Sequence, residues 1–162
     1  MKSVITTYIL LPFIMVAAWL FTSCDSLSDD NSALKGIEGH WIYTSTKAEV
    51  QVADPSVRQK IIDYIENRYK GYHVSYELKN DKTYYYYINY AEPLKGIYQM
   101  TGKNLYSLDD IRGMKTVVRE NSYIHIVSDL KEDIASILDI DENTIQKANA
   151  VDSFERGLAV SE

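Results

Sequence analysis

A small closed barrel of eight antiparallel strands running up and down is the fold the sequence predicts, mainly β, with one helix after the first strand and one before the last. Three observations predict it. From Gly36 onward apolar and polar residues mostly alternate with a period of two, which is the spacing of strands with one buried face. Turn-forming residues recur at short intervals between these segments. Only one long segment carries helical spacing. The 162 residues suit a single globular domain, and three Pro and seven Gly exclude a collagen-like or wholly disordered chain.

The elements follow in order. Glu38 to Thr46 begins the first strand, with Trp41, Tyr43 and Ser45 on one face. Asp54-Pro55 supplies an N-cap and a Pro at the first helical position, and Val57, Ile61, Ile62, Ile65 and Tyr69 recur at helical spacing up to Gly71. Strands are then expected over Tyr72 to Lys79, Thr83 to Tyr90, Lys95 to Met100, Leu105 to Leu108, Met114 to Glu120 and Tyr123 to Ser128. Their connections are Asn80-Asp81-Lys82, Ala91-Glu92-Pro93, Thr101-Gly102-Lys103-Asn104, Ile111-Arg112-Gly113 and Asn121-Ser122. A short helix from Leu130 to Leu138 carries Ile134, Ile137 and Leu138 on one face, Asp141 caps a further turn, and a last strand runs near Ala150 to Leu158.

Charge and cysteine content narrow the function. A net charge of −6 provides no basic surface to neutralise a row of phosphates, so nucleic acid is not an expected partner. One Cys excludes an internal disulfide framework and a multi-thiolate zinc site.

The N-terminus reads as a targeting segment: Lys2 precedes a run from Val4 to Phe21 without a charge. Phe21-Thr22-Ser23-Cys24 resembles the lipobox of bacterial lipoproteins, with Phe21 in place of the usual Leu and the small Ser23 just before the Cys. The resemblance implies that residues 1–23 are a signal peptide removed by a signal peptidase, and that Cys24 becomes the first residue with its thiol carrying diacylglycerol. Two or three palmitate-type acyl chains, at about 0.8 kcal/mol per buried CH₂, hold a soluble domain on a membrane durably. Cleavage would leave 16 basic against 23 acidic residues, a net charge of −7 that anionic headgroups repel, so attachment rests on the lipid. Residues 24–35, rich in Asp and Ser, read as a solvated tether, and residues 36–160 as the domain. Acidic residues after the Cys look like the export signals of Bacteroidetes surface lipoproteins, whereas Asp25 directly after it is similar to an inner-membrane retention signal of other groups. The expected location is the outer membrane of a Gram-negative cell, with the leaflet open.

Gly39-His40-Trp41 is similar to the G-x-W motif that opens the first strand of lipocalins, and the Tyr-rich meander ending in helix and strand resembles the lipocalin-like domains of Bacteroidetes lipoproteins. In lipocalins a basic residue near the end of the barrel covers that Trp; Arg156 stands in the comparable place, on the face of Phe154. The inserted helix after the first strand departs from ordinary lipocalins.

Fourteen Tyr against three Phe, four of the Tyr consecutive, is the strongest compositional oddity. By parity Tyr84, Tyr86, Ile88 and Tyr90 face the core, while Thr83, Tyr85, Tyr87 and Asn89 face the other way. Tyr85 and Tyr87, with Asn89 as a hydrogen-bonding neighbour, are therefore the candidate contact residues, although cross-strand packing explains the same pattern. His40, His73 and His125 fall in the first, second and seventh strands and do not converge, so no metal is expected. Asp109 and Asp110 point to opposite faces, and no catalytic motif is present, so no catalytic residue and no cofactor is expected. The expected function is a non-enzymatic, membrane-anchored lipoprotein that binds a small hydrophobic or glycan ligand in or beside the barrel. The alternative is a filled barrel serving as a structural or protein-interaction module for an envelope protein.

Overall fold

A computed structural model describes residues 36–89 and 91–157. Cys24, the segments before and after it, Tyr90 and Leu158 lie outside the described residues.

The strands are β1 (Gly39–Val52), β2 (Val74–Leu78), β3 (Thr83–Ile88), β4 (Leu94–Gly102), β5 (Leu105–Asp110), β6 (Gly113–Glu120), β7 (Tyr123–Asp129) and β8 (Ile145–Arg156). Each pairs antiparallel with the next, and β8 returns to β1, so the barrel closes in sequence order. Helix α1 (Pro55–Asn67) follows β1, and α2 (Lys131–Leu138) with a 3₁₀ turn at Glu142–Thr144 precedes β8. Closure gives every strand a partner on both sides, although β1 beyond Ile42 pairs with β8 alone.

The inner face carries the alternation read from the sequence: Val74, Tyr76 and Leu78 on β2, Tyr84 and Tyr86 on β3, Tyr106 and Leu108 on β5, Ile124 and Ile126 on β7 are all buried. Rings meet across the interior. The Tyr76 centroid lies 4.8 Å from Tyr86, 5.7 Å from Tyr84 and 5.2 Å from Phe154, and Phe154 in turn meets Tyr43 at 5.8 Å. This part of the barrel is occupied by its own aromatic side chains.

Three expectations about the elements need correction. The first-strand face is not Trp41, Tyr43, Ser45, because a bulge between Tyr43 and Ser45 inserts one residue. Thr46 then shares the inner face, its hydroxyl 2.8 Å from that of Tyr43, and Ser45 is exposed. The first helix ends at Asn67 rather than near Gly71. Single-turn bonds such as Lys70 N–H to Asn67 O (3.0 Å) and Tyr72 N–H to Tyr69 O (3.0 Å) replace it, with Gly71 at φ +80°. Tyr69 therefore leaves the helical face and sets its ring edge-on at 5.2 Å from Tyr43. The start of α1 is as expected: the Asp54 carboxylate accepts from Ser56 N–H (2.7 Å) and Val57 N–H (3.3 Å), with Pro55 at the first position.

The last strand starts five residues earlier than expected, at Ile145. Its first half and the second half of β1 form a separate apolar cluster with both helices, built from Ile61 and Ile65 of α1, Ile134 of α2, and Ile145, Ala148 and Ala150 of β8. The small Ala148 and Ala150 let the helices come close. The helices thus cover one end of the barrel, the end where the β3–β4 and β5–β6 turns also lie.

Candidate functional site

The two ends of the barrel differ in chemistry. At the end where β1 begins, Trp41 is fully buried and donates its indole N–H to Ile37 O at 2.8 Å. The Arg156 guanidinium lies 4.8 Å from the Trp41 ring centroid and donates to Gly36 O at 2.9 Å. The pair forms because Trp41 and Arg156 are direct cross-strand partners on the inner face. Gly39 has φ +135°, and a Cβ there would sit 3.3 Å from an Arg156 nitrogen, which accounts for glycine at that position. Tyr98 completes the closure, donating to Lys79 O at 2.6 Å and Glu38 at 3.1 Å, while Lys82 pairs with Glu38 at 2.8 Å. Gly39, Trp41 and Arg156 therefore seal this end together.

At the α1 end the interior turns ionic. Asp110 extends the inward row Tyr106, Leu108, and its side chain is fully buried. It accepts the Tyr84 hydroxyl at 2.6 Å and Arg112 N–H at 2.7 Å, and pairs with the Arg112 guanidinium. Burial opposes its ionisation, but the bonds from Arg112 and Tyr84 outweigh that and hold its carboxyl well below the usual carboxylate range. Arg112 folds back over the mouth, its guanidinium 4.1 Å from the Tyr86 centroid. Gly96 makes room for this arrangement: a Cβ there would lie 2.5 Å from the Tyr84 ring, so a larger residue would push the ring off its line to Asp110.

From the other side, Asp152 on β8 is buried and pairs with Arg68, which the turn after α1 delivers, and accepts the Thr46 hydroxyl at 2.7 Å. Burial raises Asp152 above the ordinary carboxylate value against the pull of Arg68 and Thr46. The Tyr86 hydroxyl bonds the Tyr69 hydroxyl at 3.2 Å between the two ion pairs. Lys115, inward on β6 beside Val117, is the third cation. Its Nζ is buried, has no hydrogen-bond partner in the protein, and stands 3.9 Å from the nearest carboxylate oxygen, Asp110 Oδ2. Burial, with the Arg112 charge nearby, pushes its pKa down to about 8.

The residues singled out from sequence fall elsewhere. Tyr85 and Tyr87 are on the outer face of β3, with centroids 6.5 Å apart. Lys79 and Lys95 lie 4.9 and 5.9 Å from the Tyr85 centroid, and the Tyr87 hydroxyl donates to Glu77 at 3.1 Å, so both rings already have cross-strand neighbours. Asn89 lies beyond the end of β3 at φ +50°, its side-chain oxygen accepting His73 N–H at 2.8 Å, and it serves the turn rather than extending the tyrosine face. His73 precedes β2 instead of lying within it. Among the described residues no group of three or more His, Cys, Asp or Glu is placed to hold a metal ion, and no helix is long and apolar enough to cross a membrane.

The ionic cluster was missed because its members are distant in sequence and each resembles a surface charge. One signal was available: Asp110 and Lys115 occupy inward positions of their strands, in register with Leu108 and Val117. Comparison with protein-family models, with curated proteins and with solved structures finds no match for the chain.

Proposed function

We propose that this chain is a non-enzymatic lipoprotein, anchored through Cys24 to the outer membrane, whose barrel binds a small ligand at its α1 end. The single observation that carries the reading is the contrast between ends: Trp41 and Arg156 close one, while the other gathers Arg68, Arg112 and Lys115 with tyrosine hydroxyls. A few converging polar groups beside aromatic walls are what small-molecule sites use to orient a ligand. Tyr43, Tyr69, Ile88 and Leu94, all half-buried at the edge of the aromatic core, supply the apolar part of such a surface.

The second reading is a filled barrel acting as a scaffold or protein-interaction module. The ring contacts of Tyr76 with Tyr84, Tyr86 and Phe154 favour it. A thermal-shift screen of the full chain in detergent, with carboxylic acids, haem-like pigments and oligosaccharides, separates the two. Stabilisation by one class supports the ligand reading, since a ligand at a hundred times its Kd adds about 2.7 kcal/mol. No shift with any class leaves the scaffold. The anchor is tested in parallel: Cys24→Ala is expected to move the protein from the detergent to the aqueous phase, and its retention in detergent contradicts lipid attachment.

A further inference from the structure

We propose that the group recognised at the α1 end is the carboxylate of a small monoanionic acid, received by Lys115 Nζ with Arg68 beside it. This rests on the reading of that end as the ligand site. Three observations lead to it.

First, the donors are in excess. Lys115 Nζ and Arg68 Nε are both buried and both lack a hydrogen-bond partner in the protein. A buried donor without an acceptor is costly, and the remedy is an oxygen placed between such donors. The carboxylate nearest Lys115 is already engaged, because Asp110 accepts from Tyr84 and Arg112.

Second, the charges do not balance. Arg68, Arg112 and Lys115 face two carboxylates, Asp110 and Asp152, which leaves one positive charge within the cluster. One negative charge neutralises it, whereas a dianion such as phosphate overshoots. A carboxylate also offers only acceptors, matching a site that has only donors left over.

Third, the cluster is reachable. The Arg112 side chain, 30% exposed, and the stem of Lys115 border solvent, and an acid reaches the buried Nζ by entering past Arg112, its organic part staying among the half-buried Tyr43 and Tyr69 rings.

The pH dependence then follows from one group. Lys115 is faced by Asp110 from β5, Arg112 from the β5–β6 turn, Asp152 from β8 and Arg68 from the segment after α1, while the Tyr84 hydroxyl bonds Asp110 and the Tyr86 hydroxyl bonds that of Tyr69; among the described residues β7 turns Ile124, Ile126 and Ser128 inward. The tyrosines are pushed above their ordinary range by burial, and Arg112 is held charged by Asp110. Lys115, its pKa pushed down to about 8, passes from charged to neutral between pH 7 and 9.5.

Calorimetric titration of the full chain in detergent with acetate, butyrate and benzoate, and with benzamide as the uncharged counterpart of benzoate, tests this. At least one acid is expected to bind at pH 7, benzamide at least tenfold more weakly than benzoate, and acid affinity to fall at least tenfold at pH 9.5. Lys115→Arg is expected to keep the affinity at both pH values, and Lys115→Met to lose at least tenfold while melting no lower than wild type. Equal binding of benzoate and benzamide, or unchanged acid binding by Lys115→Met, overturns the proposal. If no acid binds but a neutral compound from the broader screen does, the carboxylate inference falls and the ligand reading stands. If nothing binds, both fall. Should Lys115→Met not fold, the pH profile of Lys115→Arg decides alone, since a profile that still drops at pH 9.5 places the titrating group elsewhere.

Discussion

Asp110→Ala is expected to destabilise the protein toward the lower end of the roughly 3–5 kcal/mol seen when one partner of a buried ion pair is removed. The substitution leaves Arg112 without its carboxylate, Tyr84 without its acceptor and Lys115 without its nearest negative charge. The lower end applies because Arg112 still reaches water. Urea unfolding at pH 7 measures the loss. The pH dependence has a definite sign. Asp110 has its folded pKa lowered, so its contribution is fully present above the unfolded carboxylate pKa of about 3.9 and is lost as pH falls from there toward the folded value. The gap between wild type and Asp110→Ala should therefore narrow below about pH 4. A gap unchanged down to pH 2 contradicts the ion-pair account.

Trp41→Ala is expected to cost about 3–5 kcal/mol, as for other large aromatic side chains cut from a core. Trp41 is fully buried, and its removal leaves a void at the sealed end and takes the ring from under the Arg156 guanidinium. Arg156 is already held below its ordinary pKa by burial, so it would then face an apolar hole while still bonded to Gly36 O. Trp41→Phe, which keeps a ring beneath the guanidinium, should lose markedly less, and this comparison by thermal unfolding separates ring–cation packing from simple volume. Equal losses for the two would remove the role given to the stack.

Much of the architecture was legible because strand parity is a strict rule. Tyr84 and Tyr86 were assigned inward and Tyr85 and Tyr87 outward from alternation alone, and burial follows that division. The Trp41–Arg156 pair was also readable, since a motif in the first strand and a basic residue on the Phe154 face of the last meet once the barrel closes. The bulge after Tyr43 was not readable, because Thr44 and Ser45 fit an unbroken strand as well as a bulged one. Nor was the turn that takes Tyr69 off its helix, since helical spacing persisted to that residue. The ionic cluster escaped for a different reason. Tyr84 meets Asp110 across 26 residues and Arg68 meets Asp152 across 84, so their union depends on closure of the barrel and on how α1 is laid over it.

The central claim is that ligand enters at the α1 end and that the Trp41 end is closed. Heteronuclear NMR of the full chain titrated with benzoate tests it most directly. Shifts are expected at the side chains of Arg68, Arg112 and Lys115, with the Trp41 indole N–H unmoved because it stays bonded to Ile37 O. Shifts centred on Trp41 and Arg156, or on the outer Tyr85 and Tyr87 rings with Lys115 silent, would contradict it.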